Sequence, residues 1–136
     1  MRKMIEKFKI FRQYELDAVK QVAEWYTNGL RDTKFICPLV RDEYMSSWAQ
    51  YTIKIPENIN RDLLQKYLAE HNIPSMVYYM KPMHLQSAFD RINIISTGCI
   101  STEKLCQTVL SLPMHPYLTK AEVEYVVSVI KEYSEK

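Results

Sequence analysis

The amino-acid sequence predicts a two-layer α+β domain: a small, mostly antiparallel sheet packed against helices, with a long helix at the N-terminus. Three observations predict it. The chain of 136 residues is one domain by length and is long enough to bury a core without staples. Apolar residues near both ends recur at spacings of three and four, the signature of amphipathic helices. Between them, residues 47–55 alternate with period two, as a half-buried strand does.

Met4, Phe8, Phe11, Val19, Val22, Tyr26 and Leu30 share one stripe, so residues 4–31 read as one long helix. Asn28-Gly29, with Arg31-Asp32 beyond, fits its stop. A helix of this length without an N-cap reads either as a connector from something upstream or as a long surface helix. The chain therefore divides into a connecting helix, 1–31, and an α+β body, 32–136.

Residues 33–46 are irregular, punctuated by Pro38. In 47–55, Ala49, Tyr51, Ile53 and Ile55 face one way and Trp48, Gln50, Thr52 and Lys54 the other, and Pro56 closes the strand. Asn60 can cap a helix to about His71, with Leu63, Leu64, Tyr67 and Leu68 inward. Asn72 suits the left-handed position after it, and Pro74 prevents continuation.

Met76–Tyr79 reads as a short second strand, followed by a loop-rich stretch to about Ile100. Ser101 or Thr102 starts a helix to about Leu110, packing through Leu105, Val109 and Leu110. Residues 112–116 form an extended bridge, since residues before proline avoid the α region. Thr119 with Glu122 matches a capping box, and Val123, Val126, Val127 and Ile130 then face inward.

Composition excludes several functions. The formal charge is only +2 with signs interspersed, which argues against binding to nucleic acid or an anionic membrane. With Gly29 and Gly98 alone, no glycine-rich phosphate loop can form. Cys37, Cys99 and Cys106 give neither a disulfide framework nor a CxxC metal site, and reduced thiols fit a soluble cytoplasmic protein. His71, His84 and His115 are scattered, without carboxylates at ligand spacing.

The run Tyr78-Tyr79-Met80-Lys81-Pro82-Met83-His84-Leu85-Gln86 gathers polar tips on apolar bodies just after a helix stop. It reads as a lined pocket or as a tyrosine-rich strand entering a surface turn. Three stretches, in order, resemble the C-terminal small domain of the DegT-type nucleotide-sugar aminotransferases, pyridoxal-phosphate enzymes of the aspartate aminotransferase fold. They are Ser47-Trp48-Ala49-Gln50-Tyr51-Thr52-Ile53, the segment Ile73 to Gln86, and Leu110-Ser111-Leu112-Pro113-Met114-His115-Pro116 leading to the last helix.

The resemblance implies transfer of an amino group, from glutamate as a rule, to a nucleotide-linked keto sugar in glycan biosynthesis. It also implies homodimers with shared sites. The family keeps its cofactor lysine, its acidic partner and its phosphate cradle in a large N-terminal domain, to which nothing here corresponds. Lys104, three after Ser101 as in the cofactor-lysine motif, reads as a surface residue. The isolated chain is therefore expected to bind no pyridoxal phosphate and to be inactive.

By the same resemblance, Tyr78, Tyr79, Lys81, His84 and Gln86 face substrate or cofactor. Histidine is frequent where Tyr78 stands, so a binding role suits this phenol better than proton transfer. Lys81 reads as neutralising a diphosphate or as a surface lysine. His84 and Gln86 read as supporting or subunit contacts, or His84 as a turn stabiliser. Trp48 is a candidate to pack under the first helix or against the large domain. The alternative is a stand-alone binding or oligomerisation module. An independent enzyme built on Tyr78, Lys81 and His84 lacks a nucleophile–base pair.

Overall fold

A computed structural model of the chain describes residues 2–10, 14–89 and 98–135. Its elements run α1 (Arg2–Ile10), α2 (Leu16–Leu30), β1 (Tyr51–Lys54), α3 (Arg61–Glu70), α4 (Ile100–Thr108), β2 (Val109–Leu112) and α5 (Lys120–Ser134). Two single 3₁₀ turns, Met83–Leu85 and Ser87–Phe89, lie between α3 and α4. This is the expected two-layer α+β architecture.

The core forms where α2 and α3 pack on α5 and all three close over the small sheet. Val19, Val22, Tyr26 and Leu30 of the N-terminal stripe are buried as expected. Met4 and Phe8 are instead 60% and 67% exposed on α1, and Phe11 lies outside the described residues. Periodicity marks which face of a helix is apolar; it does not say whether a partner covers that face.

The helix stops where expected, and Gly29 in its last turn has a further role. It lies inside α2, which runs on to Leu30. A Cβ placed there would meet Val127 Cγ2 at 2.9 Å and Cγ1 at 3.1 Å. The glycine sits at a close approach of α2 to α5, and valine methyls are stiff neighbours. Gly29→Val is expected to lower the unfolding free energy by about 1–3 kcal/mol through overpacking. The double variant with Val127→Ala should recover part of that loss in a urea titration. Additive losses would show that the close approach is not the cause.

The sheet grows from one antiparallel pair, β1 with β2, in which Tyr51 stands opposite Leu112 and Lys54 opposite Val109. Single bridges widen it, Ile36 against Lys54 on one side and Met76 against Ser111 on the other. Regular pairing in β1 begins only at Tyr51, because Trp48 adopts φ 49°, outside the extended region. Tyr51, Ile53 and Ile55 are buried as the alternation requires, whereas Ala49 is exposed.

Two sequence expectations change here. Met76–Tyr79 is not a strand: Met76 makes one bridge, and the chain turns at Tyr78-Tyr79. The helix expected to reach Leu110 stops at Thr108, and Val109–Leu112 is a strand. Cys106, rather than Leu105, is its buried residue. The break at Thr108 has visible causes. Ile55 N donates to Thr108 O at 2.8 Å, and the Arg61 guanidinium donates to Cys106 O at 3.2 Å and Val109 O at 3.3 Å. These bonds satisfy carbonyls that a longer helix would have used itself.

The caps follow the sequence. The Asn60 side chain accepts from Asp62 N and Leu63 N, both at 3.0 Å, and Asn72 takes φ 58°. Leu64 and Leu68 are buried in α3, while Leu63 faces out. Thr119 Oγ1 accepts from Glu122 N at 3.3 Å, and Glu122 Oε2 accepts from Thr119 N at 2.8 Å. The hydrogen bonds from Thr119 hold the Glu122 carboxyl below its ordinary value. Val123, Val126, Val127 and Ile130 form the buried face of α5, joined by Val129.

Candidate functional site

The sheet register gathers three distant segments at one end. Because Tyr51 pairs with Leu112, Ala49-Gln50 must lie beside Pro113-Met114. Because Met76 bridges Ser111, Pro74-Ser75 arrives on the opposite flank. The turn at Tyr78 then closes a recess of about 260 Å³ over this sheet end. Its floor is fixed from behind, where the buried Tyr26 hydroxyl of α2 donates to Pro113 O at 3.0 Å.

The five predicted site residues take different places. Tyr78 lines the recess and is 44% exposed. Tyr79 is 72% exposed and stands edge-on to Tyr78 at 6.2 Å between ring centroids. A strand would have sent the two rings to opposite faces; a turn does not impose that alternation. Lys81 is exposed. Its carbonyl accepts from Gln86 Nε2 at 3.3 Å, which ties the ends of the Met83–Leu85 turn together. His84 Nε2 meets Glu103 Oε1 at 3.0 Å and fastens the same turn to α4.

Sequence reasoning did not nominate Gln50 or Ser75, which line the recess with Tyr78. The alternation in 47–55 placed Gln50 on the outer face, but only the strand register brings it beside residues 75 and 113. Ser75 carries a stronger signal. Its Oγ is buried and has no hydrogen-bond partner among the described residues, although its carbonyl accepts from Gln65 Nε2 at 3.1 Å.

A second and larger hollow, about 630 Å³, opens between α2 and residues 38–48. Trp48 lines it and packs at 5.6 Å on the Tyr51 ring, so it does lie beside the N-terminal helical region. Among the described residues, no group of three or more His, Cys, Asp or Glu is placed to hold a metal, and no helix is long and apolar enough to cross a membrane.

Together these features define an α+β domain with a recess at one sheet end, lined by Tyr78, Gln50 and Ser75 among others. The chain belongs to the DegT/DnrJ/EryC1/StrS aminotransferase family, whose pattern matches residues 11–131. A pleiotropic regulatory protein of Geobacillus stearothermophilus is 42% identical over 84 residues, 62% of this chain and 22% of the relative. The dTDP-3-amino-3,6-dideoxy-alpha-D-galactopyranose transaminase of Aneurinibacillus thermoaerophilus is 29% identical over 84% of this chain and 30% of its own length.

Among solved structures, a DegT/DnrJ/EryC1/StrS aminotransferase from Brucella abortus superposes with a TM-score of 0.84 at 36% identity, over 97% of this chain and 34% of that one. The chain thus spans between a fifth and about a third of the length of these relatives. Pyridoxal phosphate, the cofactor of the family, does not fit the residues gathered here. The recess offers no lysine for a Schiff base and no carboxylate for a ring nitrogen. Lys104 is exposed on α4 and lines a separate hollow with Asp62 and Thr108.

Proposed function

We propose that this chain is the C-terminal small domain of a nucleotide-sugar aminotransferase, with 1–31 as the segment connecting it to a large cofactor-binding domain and 32–136 as the α+β body. The family match across residues 11–131 carries this reading, together with the one-third coverage of full-length relatives. The reaction moves an amino group from glutamate to a keto sugar on a nucleotide, in a cytoplasmic homodimer, toward cell-surface glycan. This chain contributes recognition. The Tyr78 and Tyr79 hydroxyls bind sugar or phosphate oxygens, Lys81 offsets diphosphate charge, and His84 and Gln86 hold the turn that carries them.

Proton transfer and cofactor binding fall to groups outside these residues, so the isolated chain is expected not to transaminate. Borohydride treatment with pyridoxal phosphate should trap no stoichiometric adduct at a single lysine. The direct test replaces the matching third of the Brucella abortus relative with this chain and assays amination of dTDP-linked keto sugars. The chimera should be active, and Tyr78→Phe should lower kcat/KM about tenfold, the ~1.4 kcal/mol of one hydrogen bond. A folded, cofactor-loaded chimera inert toward every nucleotide-keto sugar would end this reading.

A further inference from the structure

We infer that Glu103 of α4 is a positioning residue: through His84 it holds the Tyr78–Gln86 turn where its phenols and Lys81 can meet the sugar nucleotide. This rests on the aminotransferase reading above and adds to it a residue that itself touches no substrate.

The turn has little else to fix its place. Among the described residues, the other hydrogen bonds of 80–89 all close within the segment. Leu85 N donates to Pro82 O at 3.0 Å, Gln86 N to Met83 O at 3.1 Å, Phe89 N to Gln86 O at 2.9 Å, and Gln86 Nε2 to Lys81 O at 3.3 Å. Such bonds shape a turn without saying where it sits on the body. Of residues 78–86 only Pro82 is buried, while Met80 and Met83 are 71% and 68% exposed. A segment with so few buried contacts opens at low cost unless something ties it down. The contact between His84 Nε2 and Glu103 Oε1 at 3.0 Å is that tie, and it joins residues 19 apart in sequence.

Both partners suit the task. The His84 side chain turns inward and is 17% exposed, between the outward-facing Met83 and Leu85. A carboxylate only accepts, so His84 Nε2 carries the proton and donates it. Glu103 stands in the first turn of α4, where the helix dipole favours a negative charge. The helix beneath it is firmly seated, with Cys106 buried and the Cys106 carbonyl held by Arg61 of α3. Glu103 thus lends the turn the rigidity of a helix, which another loop would not supply.

Two measurements test this. In the present chain, Glu103→Ala should speed hydrogen exchange of the Leu85 and Gln86 amides about tenfold, the worth of one hydrogen bond. The Lys54 amide, bonded to Ile36 O in the sheet, should keep its rate. His84→Ala should match Glu103→Ala, and the double variant should go no further, because both remove the same bond. Glu103→Gln retains an acceptor at the same reach and should recover most of the protection. In the chimera described above, Glu103→Ala should lower kcat/KM toward the nucleotide-keto sugar about tenfold and hold kcat/KM toward glutamate within about twofold, a split that general loss of structure would not give. Unchanged exchange at Leu85 and Gln86 overturns the inference, as does an equal rise at Lys54 or an equal loss toward both substrates. The expected exchange beside an inert chimera ends the aminotransferase reading and leaves the tie standing; an active chimera indifferent to Glu103→Ala does the reverse.

Discussion

Tyr51→Ala is expected to lower the unfolding free energy by about 3–5 kcal/mol, the range for removing a large aromatic side chain from a packed core. Tyr51 is fully buried at the start of β1, stacked on Tyr26 at 5.0 Å and flanked by Trp48. Its hydroxyl lies 2.7 Å from Thr27 Oγ1, which itself lies 2.8 Å from Ala23 O. Thr27 has one proton and gives it to the carbonyl, so Tyr51 must be the donor in the first bond. Tyr51→Phe therefore takes the hydroxyl away from Thr27 and from the Cys37 thiol beside it, and about 1 kcal/mol is expected.

The same substitution has a pH signature. Burial pushes the Tyr51 and Tyr26 phenols above their ordinary value. The unfolded chain ionises them near pH 10. Stability is thus intact below about pH 10 and declines above it, as the unfolded state sheds protons that the native state retains. Tyr51→Phe removes one such group and should flatten the alkaline decline in urea midpoints. A loss below about 1 kcal/mol for Tyr51→Ala would mean that the ring is not a keystone of the core.

Arg61→Met is expected to cost about 1.5–3 kcal/mol, the worth of hydrogen bonds from a charged donor. The Arg61 side chain is 10% exposed, its Nη1 donates to the carbonyls of both Cys106 and Val109, and its Nε, the other arm of the fork, pairs with Asp62. Methionine keeps much of the apolar stem but strips every donor. Arg61→Lys should recover less than half the loss, because an ammonium is a point charge and cannot reproduce the fork. If Arg61→Met stays within about 0.5 kcal/mol of the parent, the helix-to-strand break at Thr108 must be held by other contacts.

Much of the fold was legible where chemistry is local. Asn60, Asn72 and the Thr119–Glu122 pair specify their backbone within three residues, and all three behave as read. The strand Val109–Leu112 was not legible. Val, Leu, Ser and Leu continue a helical pattern equally well, and what converts them is a guanidinium from α3 and a donor from Ile55. The candidate site divides the same way. Tyr78 stood out in a run of aromatic and polar residues, but Gln50 and Ser75 carry no mark in sequence. They meet through strand register across more than twenty intervening residues, and no short-range pattern encodes such a meeting.

No residue separates α4 from β2: Thr108 ends the helix and Val109 begins the strand. That junction has no slack. One inserted residue would advance β2 by half its side-chain period and exchange its two faces. Leu110 would then replace the Ser111 hydroxyl that meets Thr52 Oγ1 at 2.7 Å, Ser111 would replace the buried Leu112, and the smaller Val109 would replace the buried Leu110. The exposed residues 41–47, outside every paired element, can absorb changes of length, but this seam cannot. Any splice, graft or chimera that uses this domain should leave the seam whole.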